Sequence, residues 1–240
     1  MTSWYKNWFD SKYYHILYNK RDHNEAELFI NNLLKFLSPK KNSCFLDLCC
    51  GKGRHSILLN KMGYRVDGID LSKNSIKQAL KEKKNNLNFF VRDMRLIKEY
   101  NKYDFILNLF TSFGYFNNKK DNHLVINGVS KALKKNGLFI IDFLNIEKTL
   151  NDLNKSEIIK INEINFYIKR WNDLNFLYKK IEFKEKNKKF EFTERIQLLN
   201  KEQIVNLCHK SNLKNISIFG DYQLSDFNEN SERLILLFKK

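Results

Sequence analysis

The chain has 240 residues, 42% hydrophobic and 29% charged, with one proline and eight glycines. This balance excludes a disordered tail or a low-complexity protein, and no apolar run is long enough to span a bilayer. The net charge is +16, but only eight of the 43 basic residues are arginine. Because arginine is the residue that favours bidentate recognition of phosphate, the net charge is only weak evidence for a nucleic-acid partner.

Aromatic residues dominate the first twenty positions, and an amphipathic helix is predicted after them over residues 24–37. Ser38-Pro39 ends this helix, because proline cannot continue it.

The N-terminus lacks the layout of a signal peptide, and the four cysteines show neither a disulfide framework nor paired metal-ligand spacing. We therefore expect a cytoplasmic protein with reduced thiols and no metal site.

Strands and helices then alternate as far as residue 145. Strands are predicted over residues 44–48, 64–69, 87–91, 103–109 and 138–143. Helices are predicted between them over 54–60, 72–82 with Ser72 as N-cap, and 123–133, closed by Asn136-Gly137. Short buried strands separated by helices are typical of a parallel sheet with helices on both faces.

The pattern changes after Asn145. Apolar and polar residues alternate over 164–170, 176–183 and 190–198, which predicts an antiparallel meander. A helix over 201–211 and strands over 215–219 and 233–238 complete the chain. We expect one domain over 1–240, made of an N-terminal segment and helix (1–40), a ligand-binding core (41–150), an antiparallel β cap (155–200) and a completion of the sheet (201–240).

The most informative stretch places the turn Gly51-Lys52-Gly53 between a strand and a helix. There the backbone can approach a ligand closely, and the helix N-terminus presents unpaired N–H groups. Asp70 ends the second strand, where a carboxylate can accept hydrogen bonds from ribose hydroxyls. Asp93 follows the third strand and could accept from an adenine amine. Together with Asp47, these acids predict an adenosine site.

Asp47 distinguishes between adenosine ligands. A dinucleotide site needs no acid inside the first strand, and the Gly-x4-Gly-Lys-Ser/Thr spacing of a phosphate loop is absent. Asp47 precedes Gly51 by four residues, where its carboxylate could brace the turn or meet a cationic amino group through water. The pattern therefore favours S-adenosylmethionine, whose aminoacyl tail replaces a pyrophosphate.

These motifs resemble those of class I S-adenosylmethionine-dependent methyltransferases over residues 13–145, with weaker similarity to the end. The matching segments are the glycine motif at 46–53, the ribose motif at 68–72, the adenine pair Asp93-Met94, the segment after strand four at 108–115 and the turn into strand five at 134–138. Cys49 departs from the pattern, since the family usually has its first glycine there. Sugar-amine and glycine N-methyltransferases are the most similar in style.

The resemblance implies a Rossmann-like, doubly wound α/β fold. It implies a seven-stranded sheet with an antiparallel last strand, an antiparallel β cap inserted after strand five, and an aromatic-rich N-terminal lid. It also implies S-adenosyl-L-methionine as cofactor and a small-molecule acceptor with an N or O nucleophile. The expected cofactor contacts are Tyr14, Arg21, Asp47, Cys49, Gly51, Gly53, Asp70, Leu71, Asp93, Met94 and Leu109. The expected acceptor contacts are Ser112, Phe113, Tyr115 and Asn145.

The N-terminal residues have two interpretations each. Tyr14 and Tyr18, one helical turn apart, either pack the segment onto the domain or cover the cofactor with a cation–π contact. Arg21 either pairs with neighbouring acids or clamps the cofactor carboxylate. Tyr14, His15 and Tyr18 are the candidate proton acceptors, although in-line methyl transfer mainly requires alignment in a water-poor pocket.

Other functions stay open at this point. An RNA or tRNA methyltransferase would fit the net charge, but strand four lacks the Asn/Asp-Pro-Pro-aromatic run with which amino-methylating nucleic-acid enzymes grip a flipped base. A non-catalytic S-adenosylmethionine-binding protein would keep the fold without the chemistry. The β cap could roof the acceptor pocket or pair with a second subunit, and no membrane partner is expected.

Overall fold

The computed structural model describes residues 4–18 and 23–240. Within these ranges the chain forms one mixed sheet of seven strands and one antiparallel sheet of four. None of the helices in the described part is long and apolar enough to cross a membrane. Arg21, predicted as a cofactor contact, lies outside the described residues.

Helices and strands alternate through the first part of the chain. The helices there are α1 (Trp4–Phe9), α2 (Lys12–Leu17), α3 (His23–Leu37), α4 (Arg54–Lys61), α5 (Lys73–Ala79), α6 (Lys119–Ala132) and α7 (Ile146–Asn151). The strands among them are β1 (Cys44–Leu48), β2 (Arg65–Asp70), β3 (Leu87–Val91), β4 (Tyr103–Asn108) and β5 (Leu133–Leu144). The remaining elements are β6 (Ser156–Ile161), β7 (Ile164–Asn172), β8 (Phe176–Glu185), β9 (Lys188–Gln197), α8 (Lys201–His209), β10 (Lys214–Phe219) and β11 (Arg233–Lys239).

The larger sheet has the strand order β10-β11-β5-β4-β1-β2-β3. β1 pairs in parallel with β2 on one side and β4 on the other, whereas β11 runs antiparallel to β5 and β10. The predicted fold class with its antiparallel last strand is therefore confirmed. Strand order reverses between β1 and β4, and ligands of open α/β sheets bind outside the carboxyl ends of the strands at such a point.

Helices cover both faces of this sheet, so its central strands are buried on both sides. On one face, Phe29 of α3 packs in one cluster with Phe45 and Leu107 of the sheet. On the other face, Val125 of α6 packs with Ile106. Burial on both sides explains the continuous apolar runs in these strands, and it leaves polar residues mainly at the strand ends.

The four-stranded sheet, β6 to β9, is the predicted cap. Its inner face, with Phe166 and Ile181, forms a separate apolar cluster with Trp8, Tyr13 and Leu17 of the N-terminal helices. We call α1 and α2, together with Tyr18 at the end of α2, the lid. The lid therefore packs on the cap through its own hydrophobic core.

Some predicted elements differ from the structure in number or extent, since α6 begins at Lys119 and not at 123, and β5 begins at Leu133 and not at 138. The meander has four strands, whereas the sequence predicted three. The additional strand is the edge strand β6, in which the adjacent apolar residues Ile158 and Ile159 interrupt the expected alternation of apolar and polar residues. Asn136-Gly137 does not close α6, since the helix ends at Ala132 and Asn136 takes a left-handed conformation (φ 63°) inside β5. The predicted N-cap at Ser72 is confirmed by the hydrogen bond that its side chain accepts from the backbone of α5.

Candidate functional site

The loop between β1 and α4 follows the central strand of the sheet. Cys49, Gly51 and Gly53 have left-handed backbones, with φ of 60°, 55° and 83°. A Cβ on Gly51 would have no atom within 4 Å, so the loop borders open space at this position. That space is a cavity of about 300 Å³, which we call the smaller cavity, and both Cys49 and Gly51 line it.

Gly53, predicted as a cofactor contact, does not line the smaller cavity. A Cβ on this residue would lie 2.6 Å from Cζ of Phe89 and 3.4 Å from Cβ of Ala79. Glycine is required here because the loop packs directly on the side chains of β3 and α5. The second glycine of the turn therefore serves packing, and the first borders the cavity.

The carboxylate of Asp70 is held by two backbone N–H groups. It accepts from Gly51 N at 2.9 Å and from Ser72 N at 2.7 Å, which ties the glycine loop to the turn before α5. Burial raises the pKa of Asp70, and the two backbone N–H donors oppose that rise. Asp70 lines the smaller cavity at the end of β2, as the sequence predicted.

Asp47 lies in β1 with 1% of its surface exposed and also lines the smaller cavity. Its carboxylate accepts a hydrogen bond from Oγ of Ser56 at 2.6 Å. Burial raises the pKa of Asp47 to about 7, with a further contribution from the negative charge of Asp70. This carboxyl group therefore changes charge close to neutral pH.

Asp93 stands after β3 and lines the same cavity. It forms a bidentate ion pair with Arg95, with Nη2 and Nε at 2.7 and 3.1 Å. Burial alone would raise the pKa of Asp93, but the hydrogen bonds from Arg95 hold it below its ordinary value. Arg95 also pairs with Asp121 of α6, so the guanidinium that orients Asp93 is itself held by a second carboxylate.

The apolar part of the smaller cavity was largely predicted. Leu71, Met94 and Leu109 line it with Cys49, whose Sγ lies 3.6 Å from Sδ of Met94. Ser112, predicted at the acceptor, lines this cavity instead. Other lining residues were not predicted. Four of them lie inside the matching motifs but were not singled out as contacts: Cys50, Lys52, Ser72 and Phe110. The others lie outside those motifs: Tyr5, Lys6, Phe9, Arg54, His55, Ser75, Arg92 and Phe116.

The lid covers the smaller cavity. Tyr14, His15 and Tyr18 all line it, as the lid interpretation of the sequence required. Burial, together with the positive charge of Lys52, lowers the pKa of His15 to about 4, so its imidazole is neutral at physiological pH. On the core side, Oδ1 of Asp10 holds the lid to the start of α5 by accepting from Oγ of Ser72 at 2.6 Å and N of Asn74 at 2.9 Å.

A second set of hydrogen bonds joins the lid to the cap. One oxygen of Glu194 accepts from Nε1 of Trp8 at 2.6 Å and from the hydroxyl of Tyr18 at 2.7 Å. Nζ of Lys179 donates to the same Tyr18 hydroxyl at 2.8 Å. Tyr18 therefore lies between a cation and a carboxylate, both supplied by the cap.

A larger cavity of about 1200 Å³ adjoins the smaller one and takes residues from the lid, the core, the cap and the end of the chain. Five aromatic residues line both cavities and form the boundary between them; these are Phe9, Tyr14, Tyr18, Phe110 and Tyr115. Tyr115, predicted at the acceptor, is one of the five. The structure thus provides two compartments that meet at an aromatic boundary.

Two predicted acceptor contacts line neither of these two cavities. Phe113 is fully buried in the hydrophobic core on the α6 face of the sheet. Asn145 uses its side-chain amide to hold the segment before β11, donating to the carbonyl oxygens of Glu229 and Ser231 at 2.9 Å each. Both positions follow strand ends in the sequence, but their side chains point into packing and loop contacts.

The described part of the chain resembles known proteins in sequence and in fold. A family model for a methyltransferase domain matches residues 39–216. The ubiquinone biosynthesis O-methyltransferase of Pelagibacter ubique is 36% identical over 115 residues, which are 47% of this chain and 45% of that protein. The chain thus spans about half the length of the curated relatives it matches.

Two solved structures share the fold over nearly the whole chain. An S-adenosylmethionine-dependent methyltransferase from Clostridium acetobutylicum superposes with a TM-score of 0.79 at 19% identity, covering 95% of each chain. The sugar N-methyltransferase KedS8 from Streptoalloteichus superposes with a TM-score of 0.74 at 13% identity, covering 95% of this chain and 92% of the other. At identities this low the two structures show the fold alone, and the family match confirms the resemblance predicted from the motifs.

Proposed function

This chain belongs to the methyltransferase domain family, and we propose that it transfers a methyl group from S-adenosylmethionine to a small-molecule acceptor by in-line displacement. The observation that carries the proposal is the pair of cavities that meet at an aromatic boundary at the switch point of the sheet. The smaller cavity fits the cofactor, and the larger one fits the acceptor.

The residues of the smaller cavity fit S-adenosylmethionine. Asp70 and Asp93 offer oriented carboxylates for the ribose hydroxyls and the adenine amine, and Met94 and Leu109 offer apolar surface for the base. Gly51 leaves open the space that a Cβ would fill, and Asp47 supplies a carboxylate for a cationic tail. When bound there, the cofactor supplies an electrophilic methyl group on a positively charged sulfur.

The aromatic boundary suits the transfer of a methyl group from a cation. Aromatic faces stabilise a nearby positive charge, most strongly where water is excluded. Tyr14 and Phe9 form an edge-to-face pair with ring centroids 4.9 Å apart, and Phe9 packs on Tyr115 at 5.3 Å. These contacts fix the positions of the rings relative to one another. A boundary of packed rings supports alignment of the acceptor, which is the main requirement of the reaction.

The larger cavity supports a small molecule over RNA. It is not a basic surface, because five acids line it beside its five cations. Three of those cations pair with acids: Arg233 with Asp142, Arg170 with Glu157 and Lys148 with Asp152. Salt bridges of this kind leave little excess charge for a phosphate backbone.

Tyr18 is the candidate to take the proton that the acceptor loses. Its hydroxyl lies at the boundary of the two cavities and already donates to Glu194, so Tyr18 can pass its own proton to that carboxylate as it receives the proton of the acceptor. Residues of all four segments line the larger cavity, which supports treating 1–240 as one functional domain, with reduced cysteines suited to the cytoplasm.

Calorimetry with S-adenosylmethionine and S-adenosylhomocysteine tests the cofactor. The native protein should bind both, and Asp70→Asn should weaken binding at least tenfold, because charge-assisted hydrogen bonds contribute about 1.5–3 kcal/mol each. Asp104→Asn is the matched control, since Asp104 lies at the opposite end of the sheet, where it pairs with Lys134. Unchanged affinity in Asp70→Asn would overturn the assignment.

A transfer assay tests the acceptor. With cofactor carrying a labelled methyl group, label should enter a low-molecular-mass cell extract and, among pure compounds, amines or hydroxyl compounds small enough for the larger cavity. Total RNA serves as the competing acceptor in the same assay. Label found only in RNA would contradict the small-molecule proposal, and binding with no transfer to any acceptor would leave a cofactor-binding protein.

A further inference from the structure

The boundary between the two cavities includes a turn with an unfavourable backbone. Phe110 and Thr111 follow β4 and have φ of 55° and 58°, the left-handed region that residues with a Cβ rarely adopt. Phe110 lines both cavities and Thr111 lines the larger one. Two such residues in succession persist only where the surrounding structure holds them, and strain of this kind is concentrated at functional sites.

Two charged residues from neighbouring strands hold this turn. Asp142 of β5 is fully buried; its side chain accepts from Phe110 N at 2.7 Å, and its backbone oxygen accepts from Thr111 N at 3.0 Å. Arg233 of β11 donates to the Asp142 carboxylate at 2.8 and 2.7 Å and, through Nη2, to Oγ1 of Thr111 at 2.8 Å. The hydroxyl of Tyr115 donates to the carbonyl oxygen of Thr111. Every polar group of Thr111 is therefore bonded.

The ring of Phe110 is fixed as well. It stacks on His55 at a centroid distance of 5.0 Å on the side of the smaller cavity, and it packs at a tilt against Tyr222 at 5.1 Å on the side of the larger one. Tyr222 in turn donates its hydroxyl hydrogen to Asp142 at 3.1 Å and stacks on Phe29. The same carboxylate thus holds both the backbone of the turn and one of the rings that clamp Phe110.

We propose that Arg233 and Asp142 are positioning residues, which hold the Phe110–Thr111 turn in its left-handed conformation and so set the boundary across which cofactor and acceptor meet. The guanidinium fork is essential to this role, because it bonds the carboxylate and the Thr111 hydroxyl at once. A lysine would keep the charge beside Asp142 but cannot reproduce the fork. The role in catalysis rests on the proposed function, whereas the bracing of the turn does not.

The test compares Arg233→Lys with Arg233→Lys/Thr111→Gly. The single variant retains the buried charge pair and should fold. Without any ligand, hydrogen exchange at the Phe110 and Thr111 amides should accelerate at least tenfold, while amides of β1 and β4 stay protected. Glycine adopts a positive φ without a steric cost, so the double variant should regain protection at position 110. Arg65→Lys, at the amino end of β2, is the control.

Two further measurements, cofactor-product affinity and the rate of methyl transfer, complete the test. Affinity for S-adenosylhomocysteine should stay within about threefold of the native protein in both variants. The rate of methyl transfer to the low-molecular-mass extract should fall at least tenfold in Arg233→Lys and recover in the double variant. Native-like exchange in Arg233→Lys, or failure of glycine to restore both exchange and rate, overturns the proposal. If the native protein binds no cofactor, the proposed function is wrong. The hydrogen-exchange data then still show whether Arg233 and Asp142 hold the Phe110–Thr111 turn.

Discussion

Tyr18 at the end of the lid and Glu194 on cap strand β9 share a hydrogen bond of 2.7 Å, and the same carboxylate oxygen accepts from Trp8 at 2.6 Å. One oxygen of the cap thus holds two side chains of the lid. Because the lid covers the smaller cavity and the cap borders the larger one, this contact joins the walls of the two compartments.

Glu194→Gln should weaken cofactor binding although Glu194 does not line the smaller cavity. The amide oxygen can still accept from Trp8 and Tyr18, but a neutral acceptor stabilises each bond less by about 1 kcal/mol. We expect S-adenosylhomocysteine affinity to fall about fivefold to tenfold in calorimetry. Trp8 is 1% exposed, so its fluorescence should shift to the red if the lid loosens.

The control for this variant is Glu191→Gln on the same strand. Glu191 is exposed and pairs with Lys180 of the cap, so its substitution should alter neither affinity nor fluorescence. Equal effects of the two substitutions would show that general destabilisation of the cap, and not the lid contact, controls cofactor binding.

Gly51→Ala and Gly53→Ala should separate binding from folding. Both residues have a positive φ, which costs alanine about 1–2 kcal/mol. At Gly53 the new Cβ would also collide with Phe89, which adds about 1–3 kcal/mol of overpacking. At Gly51 it would enter the smaller cavity. We expect Gly53→Ala to lower the urea midpoint far more, and Gly51→Ala to lose cofactor affinity at least tenfold while remaining folded.

The two variants are each other's controls. Cofactor affinity is measured by calorimetry under conditions where both proteins are folded, as judged by circular dichroism. The assignment of the two glycines is wrong if Gly53→Ala unfolds no more easily than Gly51→Ala, or if Gly51→Ala binds the cofactor as tightly as the native protein.

Asp47 should make cofactor binding depend on pH near neutrality. Its pKa is raised to about 7, so the carboxyl is mostly protonated at pH 6 and mostly ionised at pH 8. Only the ionised form attracts a cation, and S-adenosylmethionine affinity should therefore rise severalfold over this interval. At pH 6 binding should release a proton, visible as a buffer-dependent enthalpy, and Asp47→Asn should abolish both effects.

The protein without ligand should show the opposite trend. Because the pKa of Asp47 is higher in the folded state than in the unfolded chain, the folded state binds more protons between about pH 4 and 7, and the contribution of this group to stability is lost as pH rises through that window. Urea denaturation of the native protein against Asp47→Asn isolates this contribution. A proton uptake on binding at pH 6, or an unchanged pH dependence in the variant, would contradict the role of Asp47.

Much of the smaller cavity follows from local sequence. A strand, a glycine turn and a helix in succession place Gly51 at the carboxyl end of β1, and parallel pairing brings the ends of β2 and β3 to the same edge. Asp70 and Asp93 are therefore neighbours of the glycine loop for topological reasons alone. The alternation of strands and helices determines this juxtaposition, so the motifs were sufficient to predict it.

The larger cavity and its boundary depended on contacts that no local pattern encodes. Phe113 and Asn145 stand at the right strand ends but turn into the core and toward the chain before β11, because a side chain near a loop is directed by backbone twist and packing. Glu194 and Arg233 lie far along the chain from Tyr18 and Thr111, and only the docking of cap and last strand brings them together. Short-range periodicity thus determined the fold and the glycine loop, whereas long-range packing decided which polar side chains meet at the boundary of the two cavities.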